Sequence, residues 1–252
     1  MMKDFILDKL KRVNGKIGFY YKNLITNEEI SFNENEAFLV ASVIKLPIMA
    51  VVFREAAKGN IDLSDMIAVK NSDKVPGCGA LNQFTFEPTV DIRTLCRLMI
   101  VISDNTATNV LINHLSIEKV TKEFNEIGLK ETEIKRLLFD REAAKLGKQN
   151  VFAPREIGNL LEQIYKRTFV NEDISREMED ILLEQQINHK IPGRLPNIKI
   201  AHKTGEDDGI THDVGIVYTN KPFLIAFASN NTNVAEFEQV IRDISYELST
   251  IE

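Results

Sequence analysis

Strand-forming runs stand near the two ends of this 252-residue chain, and helical runs fill the space between them. Early on, residues 16–24 and 28–32 carry Tyr20, Tyr21 and Ile30, with Thr26-Asn27 suited to a hairpin turn between them. Late in the chain, residues 198–202, 214–218 and 223–228 are short apolar runs separated by Gly or Pro signals. A lone hairpin is marginally stable in water, so the two sets are expected to share one sheet. Helices predicted over 3–12 (Phe5, Ile6 and Leu10 on one side) and 234–248 (burying Val234, Phe237, Ile241, Ile244 and Leu248) bracket the chain. Between the strand sets, Ile157, Leu160, Leu161 and Ile164 mark one buried face of a helix over 156–167. Met178, Ile181, Leu182 and Gln185 mark another, starting near Asp173 or Ser175. A polar-interrupted helix is expected over 103–115. The expected fold is α/β of the α+β kind: an antiparallel sheet flanked by terminal helices, with an inserted all-α domain. Residues 1–39 plus 197–252 would form the discontinuous α/β domain and 40–196 the insert, with a site in the cleft between them.

Charge excludes one class of partner. A net charge of −6 argues against nucleic acid, which needs a basic face. The longest basic cluster, Lys9-Leu10-Lys11-Arg12, reads as a solvated helix face rather than a membrane patch. No run approaches the roughly 20 apolar residues of a membrane span. Acids and lysines interrupt residues 1–9 where a signal peptide needs an apolar core, so the sequence as it stands reads as cytoplasmic. A periplasmic or extracellular role would require a leader trimmed from it, or another export route. Cys78 and Cys96 lack metal-site spacing and are too few for a disulfide framework. Cys96 is expected in the core and Cys78 on a loop, with a bridge between them left open. The chain is expected to be monomeric.

Three short motifs carry chemistry. Ser42-Val43-Ile44-Lys45 places a hydroxyl and an amine one helical turn apart, on one face. Its apolar flanks would desolvate Lys45 and favour the neutral amine that can take a proton. Pro47 suits a first helical turn and places Ser42 near the helix start. Ser-x-x-Lys is weak on its own, because serine is also a good N-cap. Ser116-Ile117-Glu118-Lys119 is a second copy of the pattern. Ser103-Asp104-Asn105 follows; Ser103 or Asp104 could simply cap the next helix. Lys203-Thr204-Gly205 could be nothing more than a strand end and its turn. His114, His189 and His212 lack metal-ligand spacing, and His202 should point away from Lys203 across the strand. A Ser–His–Asp arrangement through His212 and Asp213 is a weaker alternative.

The three motifs in this order resemble the class A β-lactamases and the penicillin-binding D,D-peptidases, and the resemblance runs along nearly the whole chain. It implies a β-lactamase/transpeptidase-like fold needing no metal or cofactor. Ser42 would be the acylated nucleophile and Lys45 would help deprotonate it, directly or through water. Ser103 would relay a proton to the leaving nitrogen, and Asn105 would bind the substrate amide. Lys203 and Thr204 would hold the substrate carboxylate, and the N–H groups of Ser42 and Glu206, beside Gly205, would form the oxyanion hole. The substrate implied is a small β-lactam or a short peptide. The pattern departs from class A in the loop that should carry Glu-x-x-x-Asn: residues 135–146 contain only Asp140 and Glu142 as acids. Three acids, Glu206, Asp207 and Asp208, also follow the Lys-Thr-Gly triplet. The expected function is a class A-like serine β-lactamase-family hydrolase. The alternatives are a slowly deacylating D,D-peptidase or penicillin-interacting protein, and a non-catalytic peptide- or lactam-binding module.

Overall fold

The computed structural model describes residues 2–250. In chain order, helix α1 (Met2–Arg12) precedes strands β1 (Lys16–Asn23), β2 (Glu29–Phe32) and β3 (Phe38–Leu39). A 3-10 turn (Ala41–Ile44) then leads into α2 (Lys45–Ala57). Next come β4 (Met66–Ala68), β5 (Thr89–Asp91), α3 (Ile92–Val101), α4 (Asn105–Leu115), α5 (Ile117–Glu126) and α6 (Arg141–Lys145). After β6 (Val151–Phe152) come α7 (Pro154–Tyr165) and α8 (Glu172–Leu183), and the chain finishes with β7 (Ile200–Asp207), β8 (Ile210–Val217), β9 (Phe223–Asn230) and α9 (Val234–Ser249).

The two ends do build one sheet. Its order is β2-β1-β9-β8-β7, antiparallel throughout, and β1 lies along β9 from Lys16 opposite Asn230 to Asn23 opposite Phe223. Successive side chains of a strand face opposite ways, and here both faces are covered. Phe19, Tyr21, Ile225 and Phe227 join Ile6 and Leu10 of α1 and Phe237, Ile241, Ile244 and Leu248 of α9 in one core. Tyr20, Leu224 and Ala226 join the helical segment, including Ile157 and Leu160 of α7, in the other. Each fully buried large apolar side chain contributes about 1.5–3 kcal/mol.

Several expectations shift at their edges. Val234 is only half-buried at the first turn of α9. Helix α8 starts at Glu172, because the Asn171 side chain caps it by accepting from Ile174 N, and Gln185 is buried beyond its end. The intervening segment is not purely helical: β3 pairs with β6 and β4 with β5 in two short ladders. Strands β7 and β8 are also longer than the apolar runs suggest. They close through a two-residue turn, Asp208-Gly209, with Gly209 at φ 64. Asp-Gly is a favoured pair for this hairpin because the turn needs positive φ. Lys203-Thr204-Gly205 therefore lies inside β7 rather than at its end.

Candidate active site

Helix α2 is apolar on nearly every side, and residues 43–53 are all buried. A helix with this pattern runs through a core, so its one early cation, Lys45, is carried inside and is 0% exposed. Pro47 occupies the first turn of α2, where the missing N–H costs no helical bond. Ser42 sits just ahead, in the 3-10 turn, and stays partly accessible. Lys45 Nζ lies 2.9 Å from Ser42 Oγ, 2.8 Å from Ser103 O, 2.9 Å from Ser103 Oγ and 2.7 Å from Asn105 Oδ1. Two of these partners, the Ser103 carbonyl and the Asn105 amide oxygen, can only accept. A neutral amine has two N–H groups for them and a lone pair left for a hydroxyl, which can donate. Burial first, and the neighbouring Lys203 second, hold the Lys45 amine well below the ordinary lysine range.

The second motif is placed by its own middle residue. Asp104 caps α4, accepting from Ala107 N at 2.8 Å, and also accepts from Ala80 N at 2.7 Å and Leu81 N at 2.9 Å. One carboxylate thereby ties the 75–83 loop to the helix start. With Asp104 as the cap, Ser103 is free for other work, and it adopts φ 56. Left-handed backbone costs a non-glycine residue about 1–2 kcal/mol. The conformation puts Ser103 Oγ between two amines, 2.9 Å from Lys45 Nζ and 3.1 Å from Lys203 Nζ. Asn105 donates from Nδ2 to Pro76 O at 3.1 Å, and its backbone N–H bonds Cys78 O.

Strand β7 supplies the opposite wall. It is the free edge of the sheet, and a Cβ on Gly205 would lie 3.2 Å from the Ser42 backbone nitrogen. A side chain there would push strand and Ser42 apart by a few tenths of an ångström. In a two-residue hairpin the pair flanking the turn, here Asp207 and Ile210, is the hydrogen-bonded one, and pairs alternate from there. That register turns the N–H of Glu206 away from β8 and out of the sheet edge. Lys203 is 0% exposed; burial, then the charge of Lys190, lower its amine to about 7.

Lys190 has no motif to announce it. It is fully buried, donates to Gly205 O at 3.2 Å and His212 O at 3.1 Å, and lies 2.9 Å from Glu206 Oε1. Half-burial works against ionisation of Glu206, but Lys190 and His189 hold its carboxyl below the ordinary value. Of the three acids after the triplet, one is thus neutralised by a lysine, while Asp207, at the end of β7, and Asp208, in the turn, are exposed.

The remaining alternatives sort out by contact. Asp213 pairs with His202 at 2.9 Å and accepts from Ile191 N. His212 instead bonds Leu39 O and Ser229 N, and burial lowers its imidazole to about 3. No His212–Asp213 couple therefore serves Ser42. Asp140 caps α6 by accepting from Ala143 N, and Glu142 pairs with Lys145; both are exposed. Neither hydrogen-bonds to Ser42 or Lys45. Among the described residues, no carboxylate hydrogen-bonds to Ser42 Oγ or Lys45 Nζ. Asn109, one turn beyond Asn105 on α4, grips both backbone groups of Leu138 at 2.9 Å. Both cysteines are free thiols, Cys78 exposed and Cys96 in the core.

The model of the β-lactamase enzyme family matches residues 2–250. The chain belongs to the β-lactamase family. Among curated relatives, β-lactamase VEB-1 of Pseudomonas aeruginosa is 26% identical over 260 residues, covering 94% of this chain and 85% of its own. β-lactamase BRO-1 of Moraxella catarrhalis is 25% identical over 229 residues, covering 85% and 70%. Among solved structures, PBP-A superposes with a TM-score of 0.90 at 26% identity, covering 98% of this chain and 94% of its own. A β-lactamase from Sphaerobacter thermophilus gives 0.87 at 25% identity, with 98% and 95% covered. A leucine-to-glutamate variant of PBP-A, solved as its acyl-enzyme complex with penicillin G, gives 0.89 at 25% identity, covering 98% and 94%. This β-lactamase-family chain thus has both β-lactamases and a PBP-A fold at similar structural distance.

Proposed function

We propose that the protein is a serine acyl-transfer enzyme that opens β-lactams, or cleaves a short peptide amide, at Ser42 and releases the acyl group slowly. The observation that carries this reading is the environment of Lys45: a buried amine held below the ordinary lysine range, 2.9 Å from Ser42 Oγ, with no carboxylate of the described residues hydrogen-bonded to it. Lys45 takes the Ser42 proton as Oγ bonds to the substrate carbonyl carbon. The amide C–N bond then breaks, and the proton passes through Ser103 Oγ to the leaving nitrogen. Glu206 N–H and Ser42 N–H face the oxyanion, and Asn105 binds the substrate amide. Lys203 and Thr204, backed by Lys190, bind the substrate carboxylate. Hydrolysis of the ester needs a base for water, and a positioned general base contributes about 10²–10⁴-fold. Among the described residues no carboxylate hydrogen-bonds to Ser42 or Lys45 to supply one, and Leu138, held by Asn109, brings an apolar side chain to the loop after α5.

The test follows covalent mass and turnover after mixing with a fluorescent penicillin and a chromogenic cephalosporin. A stoichiometric adduct mapped to Ser42, outlasting the mixing by minutes, is the expected result. Rapid steady turnover without accumulation would replace this reading with that of an efficient β-lactamase. No adduct and no turnover would leave the binding module. Leu138→Glu is expected to shorten the life of the adduct while leaving its rate of formation nearly unchanged.

A further inference from the structure

Three residues that are far apart in sequence meet behind β7. His189 comes from the loop after α8, Glu206 from β7 and Glu238 from α9. His189 Nε2 lies 3.4 Å from Glu206 Oε1 and 3.3 Å from Glu238 Oε1, and the three donor atoms lie within 4.8 Å of one another. Ligands at the bond lengths usual for Zn²⁺ sit about 3.3–3.5 Å apart along a tetrahedral edge. Two of the three edges already have that length, and a rotation of one carboxylate closes the third.

We propose that His189, Glu206 and Glu238 form a divalent-cation site of the Zn²⁺ type, next to the substrate-carboxylate pocket. One imidazole and two carboxylates suit Zn²⁺ better than Ca²⁺ or Mg²⁺, which take oxygen ligands in greater number. Three protein ligands leave a fourth position for water, which the exposure of His189 and Glu206 allows. Each ligand residue has a further contact. Arg242 donates to His189 O at 3.1 Å, Thr211 Oγ1 donates to Glu238 Oε1 at 3.2 Å, and Lys190 lies 2.9 Å from Glu206 Oε1. The first fixes the His189 backbone, and the other two hold the carboxylates in place before the ion arrives. Arg242 Nη1 stands 3.9 Å from the other Glu238 oxygen, so the cluster is close to charge balance, and the ion competes with Lys190 for Glu206.

That competition has a consequence that rests on the proposed function. A cation on Glu206 loosens its pairing with Lys190, whose charge then acts more fully on a substrate carboxylate. The site itself is tested without substrate, by titrating metal-free protein with ZnCl₂ in a calorimeter. A Cys78→Ser background removes the exposed thiol as a competing ligand. One Zn²⁺ per chain, tighter than about 0.1 mM, is expected, with affinity falling about tenfold or more in His189→Ala and Glu238→Gln. Far-UV circular dichroism checks that both surface variants fold. Equal Zn²⁺ binding by all three proteins, or none up to 1 mM, overturns the site. Penicillin acylation with and without Zn²⁺ then reads the coupling: at least a twofold rise in this background and none in His189→Ala is expected. An unchanged rate overturns the coupling alone, and a lack of any acylation refutes the proposed function while the titration still decides the site.

Discussion

The chain contains the same four-residue pattern twice, and the two copies do opposite things. Ser116 uses its hydroxyl to cap α5, accepting from the backbone N–H of Lys119 at 3.2 Å. Lys119 reaches outward, about one-third exposed, to Glu55 at 2.8 Å. In the other copy the serine caps nothing and the lysine is fully enclosed, its amine turned on the serine hydroxyl. Spacing is identical, so spacing alone does not set what surrounds the serine. Two differences decide. The backbone at Ser116 presents an orphan N–H to its own serine, and each lysine has different company. Lys119 has carboxylates that stabilise its charge, whereas Lys45 has neutral acceptors and hydroxyls, and its burial and a second lysine outweigh them.

The largest expected separation between the copies is in acylation. Ser42→Ala should abolish the penicillin adduct seen by intact-protein mass spectrometry, whereas Ser116→Ala should acylate at the parent rate. An adduct surviving in Ser42→Ala would sink the mechanism. Next, Lys45→Met should slow acylation by about 10²–10⁴-fold, and Lys119→Met should leave it alone, in stopped-flow measurements. A smaller effect concerns pH. Lys203 holds its charge below about pH 7 and loses it above, so carboxylate binding should weaken as pH rises through that value. The second-order acylation constant for an anionic penicillin should then fall by about tenfold per unit on the alkaline side. A flat profile from 7 to 9 would mean that Lys203 stays protonated. The smallest effect is on stability: Ser116→Ala should cost about 1 kcal/mol, or about 2–4 °C in melting temperature by calorimetry.

What could be read from the amino-acid sequence was whatever depends on neighbours in the chain. Periodicity located the terminal helices and the strands of both ends, and the three motifs named Ser42, Lys45, Ser103 and Lys203. Lys190, by contrast, reaches Gly205, His212 and Glu206 only because the loop after α8 folds under β7. Nothing in its local sequence separates it from a surface lysine. The pairing of Asp213 with His202 instead of His212 is similar: adjacent strand residues face opposite ways, and the β7–β8 register selects the partner. A local signal was available for the length of β7 and β8 in Asp208-Gly209. The polar Lys-Thr-Gly and His-Asp stretches hid it, because a strand lining a site departs from apolar alternation.

The pairing of β1 with β9 also sets an order on the molecule's birth. Lys16 must find Asn230 before the sheet exists, so the central ladder closes a loop spanning most of the chain. Bringing such distant partners together is slow compared with forming helices or the β7–β8 hairpin. On the ribosome, residues 16–23 can pair with β2 alone until 223–230 emerge, so the other edge of β1 stays open along Phe19, Tyr20 and Tyr21. The newborn chain therefore passes through a long interval in which one edge of an aromatic strand lacks its mate, and the protein depends on whatever keeps that edge from finding another.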